Sequence, residues 1–165
     1  ESEDDFVMFA YYIRNNTSIG FQTFVGGLAF GLGTVFYLLF NGLFIGAIAG
    51  HLTGLGYIDT FWGFVAGHSA FELTAIMLSG AAGLKLGMAL VAPGNYTRRL
   101  ALRRAMSEAI KLMYGAAALF LAAAFVEAYW SSIASIPPLY KYLAGALAWL
   151  MVALYFVALG RKHAA

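Results

Sequence analysis

Charge is what this sequence has least of. Only 11% of its 165 residues are Asp, Glu, Lys or Arg, where a soluble domain carries about a quarter. So few charges cannot clothe a water-facing surface, and 62% of the residues are hydrophobic, with a mean hydropathy of +0.77. The chain is therefore read as an all-α polytopic membrane protein. Cysteine is absent, which excludes disulfides, thiolate metal sites and a cysteine nucleophile. A basic leader region is also missing: the start, ESEDDF, is acidic, so no signal peptide is read there. The first residue is not methionine, and the chain is expected to be trimmed, with a further N-terminal region before it. Net charge is only +2, and no nucleic-acid partner is expected.

What is there is mostly apolar runs of awkward length. Residues 6–14, rich in Phe and Tyr and ending on Arg14, suit a short interfacial helix. The polar run Asn15-Asn16-Thr17-Ser18 is expected to break it or to cap the next helix. We therefore divide the chain into 1–19, an acidic tail and interfacial helix, and 20–165, a transmembrane helical domain. Residues 20–51 would form a helix of about 48 Å against a hydrocarbon core of about 30 Å. A break is expected near Phe40-Asn41-Gly42, and a second near Gly67-His68 in the equally long run 60–92. The count is about four to six transmembrane or re-entrant helices, two of them broken at Gly and polar positions.

Residues 94–111 carry Arg98, Arg99, Arg103, Arg104 and Lys111 against a lone acid, Glu108. Such a basic helix start belongs in the cytoplasm by the positive-inside rule. Residues 109–130 then read as a clean span with Tyr129 and Trp130 at its far boundary and Glu127 solvated beside them. After the turn from Ser131 to Pro138 the chain crosses back to Arg161-Lys162. Arg14, the basic cluster and the C-terminus then fall on one side of the membrane. Lys85 is expected to snorkel toward that side.

Two patterns offer function. Glycines stand four apart at Gly27/Gly31, Gly42/Gly46/Gly50, Gly63/Gly67 and Gly83/Gly87. Each set makes a flat helix face, suited to internal packing or to a dimer or partner interface. The leading interface candidates are Gly42, Gly46, Gly50, Gly83 and Gly87. The second pattern is His68 and Glu72, one helical turn apart in an apolar stretch. Ionisable residues in a membrane span are costly unless partnered, which makes this pair a functional candidate. Asn41 and Ser79 are grouped with it as intramembrane polar residues. His51 is a candidate third ligand should His68 and Glu72 hold a divalent metal such as zinc. A plain His–Glu hydrogen bond is the competing reading, and no cofactor is fixed by the sequence.

The block His68, Glu72, Ala75-Ile76 and GAAGLKLG at 80–87, with Asn15-Asn16 and LFNGLFIG at 39–46, resembles the stage II sporulation protein M family over residues 9–160. That resemblance implies an integral protein of the prokaryotic cytoplasmic membrane. In spore formers the namesake works beside two peptidoglycan-degrading proteins as their membrane anchor and scaffold. The family also occurs in organisms that make no spores, and the resemblance brings no catalytic residue. The favoured reading is a non-catalytic membrane scaffold in contact with lipid, forming homodimers or other homo-oligomers and recruiting partners such as membrane-anchored peptidoglycan hydrolases. The alternatives are a metal-binding protein or metal-dependent enzyme using His68, Glu72 and His51, and a transporter or channel around His68, Glu72 and Asn41.

The absence of native cysteines makes the orientation directly testable. With Asn95→Cys or Ser132→Cys as the sole thiol, an impermeant thiol reagent added to intact cells should label position 132 and spare position 95. Labelling of 95 and not of 132 would invert the topology.

Overall fold

In the computed structural model, which describes residues 2–163, every regular element is helical. Five helices follow in order: α1 (Ser2–Val25), α2 (Leu32–Gly54), α3 (Ile58–Val91), α4 (Arg98–Val126) and α5 (Pro138–His163). A 3-10 turn, Gly26–Leu28, joins α1 to α2, and a π-helical turn, Glu127–Ser131, extends α4. Four segments are long and apolar enough to cross a bilayer: Leu32–Gly54, Ile58–Val91, Arg98–Ser131 and Pro138–Ala158.

α3 is the axis of the bundle, because it alone packs against all four other helices. It can do so because its buried residues are small: Gly63, Gly67, Ala70, Ala75, Ser79, Gly80, Ala82, Gly83 and Gly87 all lie inside. Without a hydrophobic force between helices in lipid, close van der Waals contact across such small residues is what holds the bundle. A larger core fills the remaining space. Phe24, Ala82, Leu86, Ala105 and Ala109 pack at one level, and Ala75, Ala116 and Phe120 at another.

The turn between α1 and α2 is seated on α3. Phe30 and Gly31 adopt left-handed φ values of 56° and 86°, a conformation that favours glycine at the tighter position. Gly27 abuts the backbone of Gly83, and Gly31 that of Gly87, so closely that a methyl group at either α3 glycine would collide with its neighbours. Thr34 Oγ1 donates to Thr23 O at 2.7 Å and ties the start of α2 to the end of α1.

Three expectations about breaks are corrected by this arrangement. The run 20–51 is interrupted, but at Gly26–Gly31 rather than at Asn41-Gly42, where α2 continues and Asn41 Nδ2 donates to Tyr37 O at 2.7 Å. α3 passes through Gly67-His68 unbroken, because Gly67 makes room for the Trp130 ring of α4 rather than for a bend. At 34 residues it is about 51 Å long, so it must tilt or project beyond the hydrocarbon. The polar run Asn15–Ser18 does not end a short helix either. α1 runs through it, with Ser18 Oγ returning to Arg14 O at 2.6 Å in a backbone-satisfying i−4 bond.

α1 lies lengthwise along the bundle. Phe9 meets the Phe125 ring edge-on and the Tyr129 ring at a tilt at one end, Gly20 faces Phe120, and Phe24 joins the core beside Ala105. Arg14 is exposed between the Phe9 and Gly20 levels, toward the Tyr129 end. It therefore does not share a side with Arg98, Arg99, Arg103 and Arg104, as its place in the sequence suggested. Those four are at the opposite end, in the start of α4, where Thr97 caps the helix by accepting from Leu100 N. Arg98 Nε donates to Leu90 O at 3.1 Å, and Arg104 lies 4.1 Å from the centre of the Tyr96 ring. Lys85 reaches this end and pairs with Glu108.

The glycines thus separate into two kinds. Gly83→Ala should destabilise the protein by about 1–3 kcal/mol, because the added carbon meets backbone that cannot yield. Gly42→Ala meets nothing within 4 Å and should stay within about 0.5 kcal/mol of the parent. Thermal unfolding in detergent distinguishes the two.

Candidate functional site: a buried histidine–carboxylate cluster

His68 projects from α3 into the bundle and is only 4% exposed. Glu72, one turn further on, brings Oε2 to 3.6 Å from His68 Nε2. The third member comes from α4, whose π-helical turn holds Glu127 with its Oε1 4.0 Å from the same nitrogen. One ligand atom from each of the three lies within 4.8 Å of the others. π-turns are uncommon and recur at functional sites, and this one turns Glu127 and Ser131 toward α3. Ser131 Oγ is 3.3 Å from His68 Nδ1, and the Phe64 ring meets the imidazole edge-on, with centroids 5.3 Å apart.

Two further helices, α5 and α1, reach the cluster. Lys141 of α5 is buried and donates to Ser131 O at 2.8 Å. Asn16 of α1 is 4% exposed and adjoins the Glu127 carboxyl, yet its Nδ2 makes no hydrogen bond of acceptable geometry. Tyr12, one turn earlier on α1, lies on the same side, near Glu127. Glu127 Oε2 is likewise buried with no hydrogen-bond partner. Among the described residues no Lys or Arg is within ion-pairing distance of Glu72 or Glu127.

His68 and Glu72 share the face their spacing assigned them, while the rest of the expected set is distributed elsewhere. His51 is exposed near the end of α2 and is not among the grouped ligand atoms. Asn41 is occupied by its own helix. Ser79 is fully buried, bonded to Ala75 O at 2.9 Å two turns along α3. Gly83 and Gly87 face the α1–α2 turn, so their groove is filled from within the chain. Glu127, expected to be solvated, is only 8% exposed. The sequence did carry a signal for it, namely an acid within an apolar span, but its neighbours Tyr129 and Trp130 read as the membrane boundary. Asn16 was marked only as part of the polar run and of the Asn15-Asn16 resemblance, neither of which links it to Glu127.

A 590 Å³ cavity opens at this end of the bundle, with Asp59, Phe64, Ser131 and Lys141 in its wall. Two of these, Phe64 and Ser131, flank His68, so the cavity reaches the edge of the cluster.

Four apolar spans around a small buried polar cluster define a polytopic α-helical membrane protein. The chain belongs to the stage II sporulation protein M family, whose model matches residues 1–132. That segment runs from α1 through the π turn and includes every cluster residue except the Lys141 brace. The chain is also similar to an uncharacterized protein of Methanocaldococcus jannaschii, 29% identical over 79 residues, which is 47% of this chain. The match spans 44% of that relative's length. No solved structure matches the chain.

If His68 and Glu127 act as one unit, their substitutions should not add. In a double-mutant cycle of His68→Ala and Glu127→Gln, scored by stability in detergent, the coupling should be about 0.5–3 kcal/mol. Additivity would mean two independent buried groups.

Proposed function

We propose that this protein is a non-catalytic scaffold of the membrane that pairs with a second copy of itself through α2 and, so paired, holds partner proteins in place. The supporting observation is the bareness of α2. It is an apolar span of 23 residues, yet only 6% of its apolar window is buried, against 44% for α3. Gly42, Gly46 and Gly50 share one face of it, and a methyl group at any of them would meet nothing within 4 Å. An open stripe of glycines four apart is the surface on which two membrane helices approach backbone to backbone. The stripe repeats itself, so it suits a two-fold contact in which the same patch serves both copies. Phe36, Phe40 and Phe44 stack along a separate exposed face, leaving the glycine face free of bulk.

Family membership supports the wider reading. The partners implied by the namesake are membrane-anchored peptidoglycan hydrolases, which act on the outer side of a prokaryotic cytoplasmic membrane. The described residues are nearly all span and short loop, an arrangement suited to anchoring.

Pairing can be measured in membranes with a single introduced cysteine, Ala47→Cys, beside the glycine face. Oxidation should give a crosslinked dimer, and adding Gly46→Leu should reduce its yield several-fold. An unchanged yield from folded Gly46→Leu protein would overturn pairing through α2. Loss of wall-hydrolase co-purification in the same variant would connect the pairing to recruitment.

A further inference from the structure

We propose that His68, Glu72 and Glu127 together bind one divalent first-row transition-metal ion, of the zinc or manganese kind, inside the helix bundle. This site is separate from the α2 surface and does not depend on pairing.

The spacing of the three groups is the first argument. His68 Nε2 lies 3.6 Å from Glu72 Oε2 and 4.0 Å from Glu127 Oε1. Both separations exceed hydrogen-bond length, so the three groups stand close together without bonding to one another. Ligand atoms about 2.1 Å from a tetrahedral ion stand about 3.4 Å apart. The separations to His68 exceed that value by about 0.2 and 0.6 Å, and all three ligand atoms lie within 4.8 Å of one another, so closing on an ion takes carboxylate movements of up to about 1.4 Å.

The second argument is the unsatisfied carboxylate. Glu127 is 8% exposed, and its Oε2 makes no hydrogen bond of acceptable geometry, the neutral Asn16 amide beside it included. Two acids share this space with no Lys or Arg in ion-pairing reach among the described residues, and the one buried ammonium nearby, that of Lys141, is directed to Ser131 O. A bound cation would neutralise both acids where water cannot.

The third argument is the orientation of the imidazole. Ser131 Oγ stands at Nδ1, so a proton on Nδ1 can be donated to the hydroxyl while the Nε2 lone pair faces the gap. Metal-bound histidines are held in this way, with the outer nitrogen engaged by a second group. The cavity stops one side chain short of the ligands, at Phe64 and Ser131, which lie against His68. One imidazole and two carboxylates suit zinc or manganese and are too hard for Cu(I). Three protein ligands leave a fourth position for water.

The test uses the whole chain, purified in detergent without a polyhistidine tag, stripped with chelator and then titrated with zinc alone and with manganese alone. Bound metal is counted by elemental analysis after desalting. We expect about one ion per chain for at least one of the two metals. We also expect a higher unfolding midpoint for the loaded protein, because the ion binds the folded state. His68→Ala, Glu72→Gln and Glu127→Gln should each lower affinity roughly tenfold or more, while His51→Ala and Glu108→Gln should leave it unchanged. The wild-type titration decides the matter even if a variant fails to fold. Folded wild-type protein holding less than about a tenth of an equivalent of either metal would overturn the site, as would folded Glu127→Gln protein binding as tightly as the parent.

Discussion

The contact on which the rest of the structure depends is that of backbone on backbone between α3 and the α1–α2 turn. Gly83 and Gly87 present no side chain, Gly27 and Gly31 present none in return, and the two segments meet more closely than any other residue pair would allow. In a bilayer, where lipid tails are as apolar as leucine, such fit replaces the hydrophobic effect as the source of cohesion. Once the turn is seated, α1 is laid along α3 and α4, and α2 is started at the bundle's edge. The same contact therefore fills the core and leaves α2 outside it.

At the other end the constraint is electrostatic rather than steric. His68, Glu72 and Glu127 are drawn from two helices, adjoined by Asn16 of α1 and braced, through Ser131, by Lys141 of α5. Four of the five helices thus converge on one polar cluster, which a membrane protein tolerates only where the groups serve one another or a guest. The bundle is zipped by glycine at one end and gathered around a polar cluster at the other.

The parts of this structure legible from sequence are those set within one helix. Apolar runs marked the four spans, and the four-residue spacing of His68 and Glu72 put them on one face. Glycine was ambiguous, because in lipid the same residue breaks a helix or lets another approach. Gly67 admits Trp130 and Gly31 turns the chain, and nothing local distinguishes them. Glu127 was misplaced for a similar reason: aromatic residues beside it mark a membrane boundary on a lone helix, but here Trp130 packs inward against Gly67. Asn16 meets Glu127 across 111 positions of chain, and the lengthwise course of α1 that brings them together depends on the turn at Gly26–Gly31. Arg14 followed α1 to the same end.

The π turn of Glu127–Ser131 has a further effect, on phase. A π turn takes more residues to complete a revolution than an α turn, so it shifts the angular register of whatever follows. Upstream, Ala116, Phe120, Ala123 and Ala124 are all buried and keep α4 in step with the core. At the far end of the turn, Ser131 faces His68 and offers its carbonyl to Lys141. The wide turn acts as a vernier between these two demands. A chain one residue shorter here would close into regular α-helix and hold one alignment, but not both.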